Sequence, residues 1–291
     1  MRYRIKHETE YSYASPVGVG HNQVFLRPRD LPGQQKCLGT VIDFEPVPAN
    51  SNGRDDYFGN HTTLFTIQES HTHMSVVAVS EVEVTPAGPP IPGMSPPWEQ
   101  VRDQVRWDTS AAGLETLQFI YDSTLIRALP ELTAYAQESF TEGRPVFDAS
   151  LELTHRIFTD FKYDPTTTTV STPVDEVFAQ RSGVCQDFSH MQIAMLRGLG
   201  LPARYVSGYL RTFHKEEDPK LIGADASHAW LAVGDGQGNW TDYDPTNDQI
   251  PSEHHITLAW GRDYADVSPV RGVIIGGGDQ AIDVKVRVTP I

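Results

Sequence analysis

The sequence predicts an α+β protein in which a small β-sandwich-like region precedes a helix-bearing core. Three observations predict it. Tyr3, Ile5, His7, Thr9, Tyr11 and Tyr13 share one parity in YRIKHETEYSY, as a half-buried strand requires. The stretch AGPPIPGMSPPW (87–98) carries five prolines and two glycines, which reads as a boundary. Beyond it the spacing of apolar residues becomes helical and only later returns to strands.

In order, residues 1–86 are expected to form the β region. Its further strands are TVIDFEPV (40–47), HTTLFTIQES (61–70) and MSVVAVSEVEVTP (74–86), separated by turn-rich pieces such as SNGRDDYFGN. After the 87–98 linker, residues 99–291 are expected to form the second domain, with its core at about 151–250. WEQVRDQVRW and ELTAYAQESF suit short helices, and LELTHRIFTDF (151–161) a longer one. The polar run TTTT is a loop, and TPVDEVFAQ restarts a helix with Thr172 as cap and Pro173 at its first position. A helix then runs through FSHMQIAMLRGLG, capped by Ser182 and stopped by Gly198, Gly200 and Pro202. Strands ARYVSGYL (203–210), HAWLAV (228–233) and NWTDYDPT (239–246) follow, and IDVKVRV closes the chain.

Composition narrows the function. The chain has 291 residues, 39% of them hydrophobic and 21% charged, so it can bury a core without staples. Lys and Arg number 23 against 38 Asp and Glu, giving a formal charge of −15, which argues against nucleic acid or an anionic membrane as partner. Cys37 and Cys185 are the whole cysteine supply, so neither a disulfide framework nor a CxxC metal site is available. No apolar run follows the basic residues of MRYRIKHETEYSY, and none is long enough to span a bilayer; the expected location is the cytoplasm.

Cys185, in GVCQDFSH, falls in the first turn of its helix. There the dipole and free backbone N–H groups favour a thiolate and can stabilise an oxyanion, and Gly183 leaves room for a substrate. The same residue could equally be a small buried hydrophobe, which is the better reading for Cys37. A nucleophile needs a base and the base an orienting group. In SHAWLAVGDGQGNWTDYDPTN, a hairpin closed by DGQGN faces Gly234 with Trp240. His228 and Asp244 then share a face as diagonal neighbours, roughly 7–8 Å apart along the backbone. A slip of one residue would separate them, and Asp242 has the same parity.

GVCQDFSH, SHAWLAV and YDPTN together resemble the transglutaminase-like, papain-related cysteine enzymes of bacteria, and the β region resembles the small domain that precedes the core in that branch. The resemblance implies Cys185 as nucleophile, His228 as general base and acid, and Asp244 as orienting carboxylate. It implies acyl transfer at a peptide or protein amide without a cofactor. Water as acceptor gives a peptidase or amidase, which is favoured slightly because it needs no second groove; a lysine-like amine gives cross-linking. Tyr163 and Gln180 are candidates for a second oxyanion donor, and Trp230 and Trp240 could line a cleft. His71 and His73 share a strand face, but no carboxylate at ligand spacing accompanies them, so no metal is expected. His254 and His255 fall in an expected loop, their side chains pointing apart. A binding scaffold with an inactive core is the non-enzymatic alternative.

Overall fold

The computed structural model describes residues 1–85, 88–212, 221–223 and 226–291. The alternating pattern read at Tyr3–Tyr13 continues, so that β1 spans Arg2–Val24 and is bent where Pro16 interrupts the ladder. Its first half lies between β5 (His71–Val84) and a carboxyl-terminal strand, β13 (Gln280–Pro290); its second half lies between β4 (His61–Ile67) and β12 (Val270–Gly276). With β2 (Gln35–Glu45) on β5 and β3 (Asn50–Asp55) on β4, the long strand links two four-stranded layers. SNGRDDYFGN, expected as a turn, thus contains most of β3, whose residues are all exposed and offer no hydrophobic alternation to read.

The placement of β12 and β13 corrects the expected 99–291 domain: residues 270–290 belong to the first sheet. Nor does the Pro-rich segment separate two cores. Tyr3, Ile5, Val82 and Val84 bury together with Val286 and Val288 and with the apolar residues of the second region in one continuous cluster. Burial of apolar surface is non-directional, so strands distant in sequence join whichever face leaves least of it wet.

The second region begins with α1 (Trp98–Trp107), α2 (Ala111–Leu117), α3 (Pro130–Gln137) and α4 (Val146–Asp160), then the two-residue strand β6 (Lys162–Tyr163) and α5 (Val174–Gln180). Another two-residue strand, β7 (Ser182–Gly183), leads into α6 (Cys185–Gly198). Two caps differ from expectation. Pro173 itself precedes α5, while Thr172 Oγ1 accepts from Thr169 N–H; Val184, not Ser182, precedes α6. Gly200, at φ +78°, takes the left-handed position after α6 that favours glycine.

An antiparallel sheet of order β10-β9-β8-β11 packs on α6, formed by β8 (Ala203–Leu210), β9 (His228–Gly234), β10 (Trp240–Tyr243) and β11 (His255–Gly261). A short helix, α7 (Tyr264–Val267), precedes β12. β11 is an edge strand, and the first region supplies its missing partners. Gln35 donates to the Thr257 carbonyl at 2.7 Å and accepts its N–H at 2.9 Å, and Asn60 does the same for Trp260 at 2.8 and 2.9 Å. Two carboxamides thus stand in for a neighbouring strand. Arg29 stacks on the Trp260 ring at 3.5 Å and donates to Asn60 Oδ1. Gln35→Leu removes both Gln35 bonds to Thr257, leaving its N–H unpaired and its carbonyl with the Arg29 N–H at 3.1 Å, and is expected to cost about 1–3 kcal/mol, read as a lower urea midpoint at unchanged m-value; an unaltered midpoint would show that the contact is not holding β11.

Candidate active site

α6 is buried on every side from Gln186 to Arg197, which a single apolar stripe did not foretell. Its polar residues bond inside the core, although Gln192 Oε1 has no partner among the described residues. Gln192 donates to Thr154 Oγ1 and the Ser150 carbonyl, Arg197 donates to the carbonyls of Phe119, Ala203 and Arg262, and His190 accepts from Tyr264 N–H. A helix anchored in this way holds its first turn still. Cys185 is the first helical residue, partly buried against the core.

Asp187 caps that turn. Its Oδ2 accepts Val184 N–H at 2.8 Å and the Thr168 hydroxyl at 2.6 Å, so the TTTT loop takes part in the site. Burial pushes the Asp187 carboxyl up despite these two bonds. A Cβ on Gly183 would lie 2.7 Å from Oδ2, so this glycine makes room for the capping carboxylate rather than for a substrate. The first-turn N–H groups of a helix have no intrahelical acceptor, which leaves that of Cys185 facing outward as a donor.

The hairpin has the expected register, with Trp240 opposite Gly234, and β10 ends at Tyr243. The next residue, Asp244, bridges to Gln249 and is fully buried. Its two oxygens divide the work. Oδ1 accepts Thr246 N–H at 3.0 Å and Asn247 N–H at 3.3 Å, closing the turn. Oδ2 accepts His228 Nε2–H at 2.8 Å, Asn247 Nδ2–H at 2.8 Å and His255 Nε2–H at 3.2 Å. One carboxylate therefore both closes the turn and holds the His228 ring.

His228 is 2% exposed. With Nε2 on Asp244, its Nδ1 has no hydrogen-bond partner among the described residues, and the Cys185 thiol is the second group, after Asp244, whose charge acts on this imidazole. Burial alone lowers the imidazole's pKa, but the Asp244 carboxylate and then Cys185 outweigh it, and the net shift is upward. Burial likewise opposes ionisation of Asp244, and the two imidazoles reverse it, holding the carboxyl far below its usual range. Gly223, at φ +93°, approaches so closely that a Cβ there would stand 2.6 Å from His228 Nδ1.

Of the remaining expectations, Tyr163 on β6 lies near enough to Cys185 that the thiol's charge, after burial, raises its hydroxyl to about 12. Gln180 does not reach the site: it is exposed, and its amide donates to the Ser182 carbonyl. Trp230 is fully buried, which rules out an open cleft wall there; its Nε1 donates to Asp242 at 2.9 Å, and its ring lies edge-on to His255 at 5.3 Å. With Trp240 it borders a cavity of about 210 Å³ whose lining includes Asp242 and His255 but neither Cys185 nor His228. Asp242, the competitor of Asp244, is thus committed to Trp230. Cys37 packs its Sγ 3.4 Å from Thr40 Oγ1, on β2. His71 is buried with Nδ1 on the Glu69 carbonyl, whereas His73 is exposed, so the two do not converge.

His255 was not foreseen as part of the site. It is the first residue of β11, not a loop residue, and Ser252 N–H donates to its Nδ1 at 3.4 Å, leaving the proton on Nε2 toward Asp244. The apolar run of HITLAWG was the available signal for this strand. Asn247 lay within YDPTN without an assigned role. The donor atoms of His228, Asp244 and His255 all lie within 4.8 Å of one another, a spacing a metal could use. They are instead joined by direct hydrogen bonds through one oxygen, in a buried cluster.

Residues 3–83 match the bacterial transglutaminase-like N-terminal region, and residues 133–245 match the transglutaminase-like superfamily. An uncharacterised protein of Mycobacterium tuberculosis is 38% identical over 297 residues, covering 99% of this chain and 93% of its own, and one of Mycobacterium leprae is 32% identical, covering 99% and 98%. A protein-glutamine gamma-glutamyltransferase of Pseudomonas aeruginosa is 29% identical over 126 residues, 38% of this chain and 19% of that one. Among solved structures, a protein of Cytophaga hutchinsonii, inferred to be a cysteine protease, superposes with a TM-score of 0.76 at 22% identity, covering 99% of this chain and 90% of that one; at that identity the likeness is one of fold. No described helix is long and apolar enough to cross a membrane. Full-length relatives and both matched regions agree: the chain belongs to the transglutaminase-like superfamily of papain-like cysteine enzymes, in the branch that carries the bacterial amino-terminal region.

Proposed function

We propose that this protein breaks a peptide or protein amide by acyl transfer to Cys185 and passes the acyl group to water. The observation that carries the reading is the His228–Asp244 pair, locked at 2.8 Å and fully buried, with its remaining ring nitrogen unpartnered among the described residues and the Cys185 charge acting on the ring. The Cys185 thiolate attacks the amide carbonyl carbon, a C–S bond forms, and the carbonyl π electrons move to oxygen. The Cys185 backbone N–H and the Tyr163 hydroxyl, kept protonated by its raised pKa, are the donors to that oxyanion. As the C–N bond breaks, the leaving nitrogen takes the His228 proton. Water then attacks the thioester, returns a proton to His228, and releases the acid and the thiolate.

An amine in place of water would give an amide instead of an acid. The Pseudomonas aeruginosa relative favours this second reading. Assays of amide donors with and without an added primary amine distinguish the two: release of the free acid and the leaving amine or ammonia, without incorporation of the added amine, is expected. Cys185→Ala is expected to abolish turnover with the fold intact, and full residual activity would overturn the proposal.

Asp244→Asn removes a buried acceptor of the His228 proton and is expected to lower kcat by about 10⁴-fold. Asp242→Asn should lower stability through Trp230 with a smaller effect on kcat; the reverse order would mean that the orienting carboxylate is Asp242.

The pH dependence follows from the shifts. His228, raised, keeps its proton well above pH 6.5, and Asp244, depressed, stays ionised well below pH 4. The pair therefore stabilises the fold through neutral pH, losing that contribution as pH rises through the raised His228 value or falls through the depressed Asp244 value. The alkaline limb of kcat/KM is expected well above 6.5 and should move down in Asp244→Asn. A limb unmoved by that substitution would assign it to another group.

Gly223→Ala drives a methyl against His228 Nδ1 and is expected to reduce kcat/KM by about 10²-fold, together with a lowered thermal midpoint because alanine is strained at φ +93°. Equal activity would place Nδ1 away from the reaction.

A further inference from the structure

A cavity of about 710 Å³ lies between the first sheet and the core, within the roughly 300–1,000 Å³ usual for ligand sites. One side is built by β1, β12 and β13; the other by Val170, Ser227 and Tyr264. These three lie next to the catalytic pair. Ser227 immediately precedes His228. The Val170 carbonyl accepts from Gln186, the residue after Cys185, at 3.0 Å. The Tyr264 ring is 6.3 Å from that of Tyr205, a buried tyrosine whose hydroxyl is pushed up by burial and then by the charge of Cys185. On the far side Tyr264 acts on Tyr11, which stacks on Tyr13 at 6.2 Å. A line of tyrosines thus runs from the thiol into the cavity.

The cavity also contains a polar group with nothing to bind. Asn22 lines it, is 6% exposed, and its Nδ2 has no hydrogen-bond partner among the described residues. Glycines flank the amide on two strands: a Cβ on Gly20 would lie 3.2 Å from Nδ2, and one on Gly272 would lie 2.1 Å from Oδ1. A buried donor is ordinarily paired, so one held free in a cavity points to an acceptor that arrives from outside. An anion is a poor match. The Arg271 guanidinium in the lining is already bonded to Gln23 Oε1 and the Ala265 carbonyl, and Asp279 lines the same space. A neutral carbonyl flanked by apolar or aromatic side chains suits the free amide, Tyr11, Tyr13 and Ile274.

We propose that this cavity is the acyl-donor subsite, holding an extended peptide segment next to the reacting amide, with a backbone carbonyl accepting from Asn22 Nδ2 and side chains packed on Tyr11 and Tyr13. The proposal rests on Cys185 being the nucleophile. It makes the amino-terminal β region, completed by the chain's last two strands, the part of the enzyme that reads the substrate. It also predicts that peptides are preferred over small free amides.

The test compares alkylation of Cys185 in the native protein by iodoacetamide and by an iodoacetyl-capped hexapeptide of alanine and valine, followed by mass spectrometry. The hexapeptide reagent should label with saturation and about tenfold faster than iodoacetamide. That gain should fall about fivefold in Asn22→Asp and also in Ile282→Arg, which fills the cavity from a half-exposed position on β13, with the iodoacetamide rate unchanged in both. Should Asn22→Asp prove unstable, Ile282→Arg decides alone. Rapid iodoacetamide labelling without a peptide gain, or with a gain that survives Ile282→Arg, overturns the subsite and leaves the nucleophile standing. Failure of both reagents to label Cys185 overturns the nucleophile and the subsite together.

Discussion

The arrangement depends on keeping one carboxylate charged where water cannot reach it. Asp244 has no exposed surface, and an unpaired charge there would cost several kcal/mol. Five donors converge on it instead: two backbone N–H groups at Oδ1, and two imidazoles and an amide at Oδ2. The donors come from three separate constraints. The hairpin register places His228, the turn after Tyr243 places Thr246 and Asn247, and β11 places His255. Removing any one leaves a charge less well paired, which is why so much of the core sheet serves this single group.

His255 gives the carboxylate a second imidazole, and this bears on the chemistry. Two donors sharing Oδ2 fix its position and hold His228 in the orientation that leaves Nδ1 for Cys185. A fixed base opposite a fixed thiol lowers the reorganisation needed during the reaction. The thiol is held from its own side by α6, whose inward Gln192, Arg197 and His190 are hydrogen-bonded within the core and whose first turn is closed by Asp187 and Thr168.

The first region is bound into this arrangement rather than appended to it. Gln35 and Asn60 complete the edge of β11, the strand that begins at His255, and Arg29 clamps Trp260 beside them. The strands at 270–290 return to β1, so the chain's two ends close one sheet around the core. The amino-terminal β region therefore supports the far side of the Asp244 cluster and walls the cavity next to Cys185. A dual structural and substrate-reading role follows from that position.

Local chemistry determined what could be read along the chain. Parity marked β1, prolines marked the passage to the helices, and GVCQDFSH with DGQGN put Cys185 on a helix start and His228 and Asp244 on one hairpin, because turn length and a period of two leave few registers. The nearness of the thiol to that hairpin, and the proton relay extended to His255, lay outside such reach. Ser182 failed as a cap because Asp187 folds back over Gly183, and Gln180 failed as an oxyanion donor because its amide turns to Ser182. Trp230 failed as a cleft wall because β8 and β11 cover it. These outcomes depend on which surfaces bury against each other, a long-range matter that no spacing encodes. Sequence thus determined the candidate reacting groups and their local frames; tertiary packing decided the pairing of β12 and β13 with β1, the burial that surrounds Asp244, and the cavity between the first sheet and the core, because burial is shared among residues far apart in the chain.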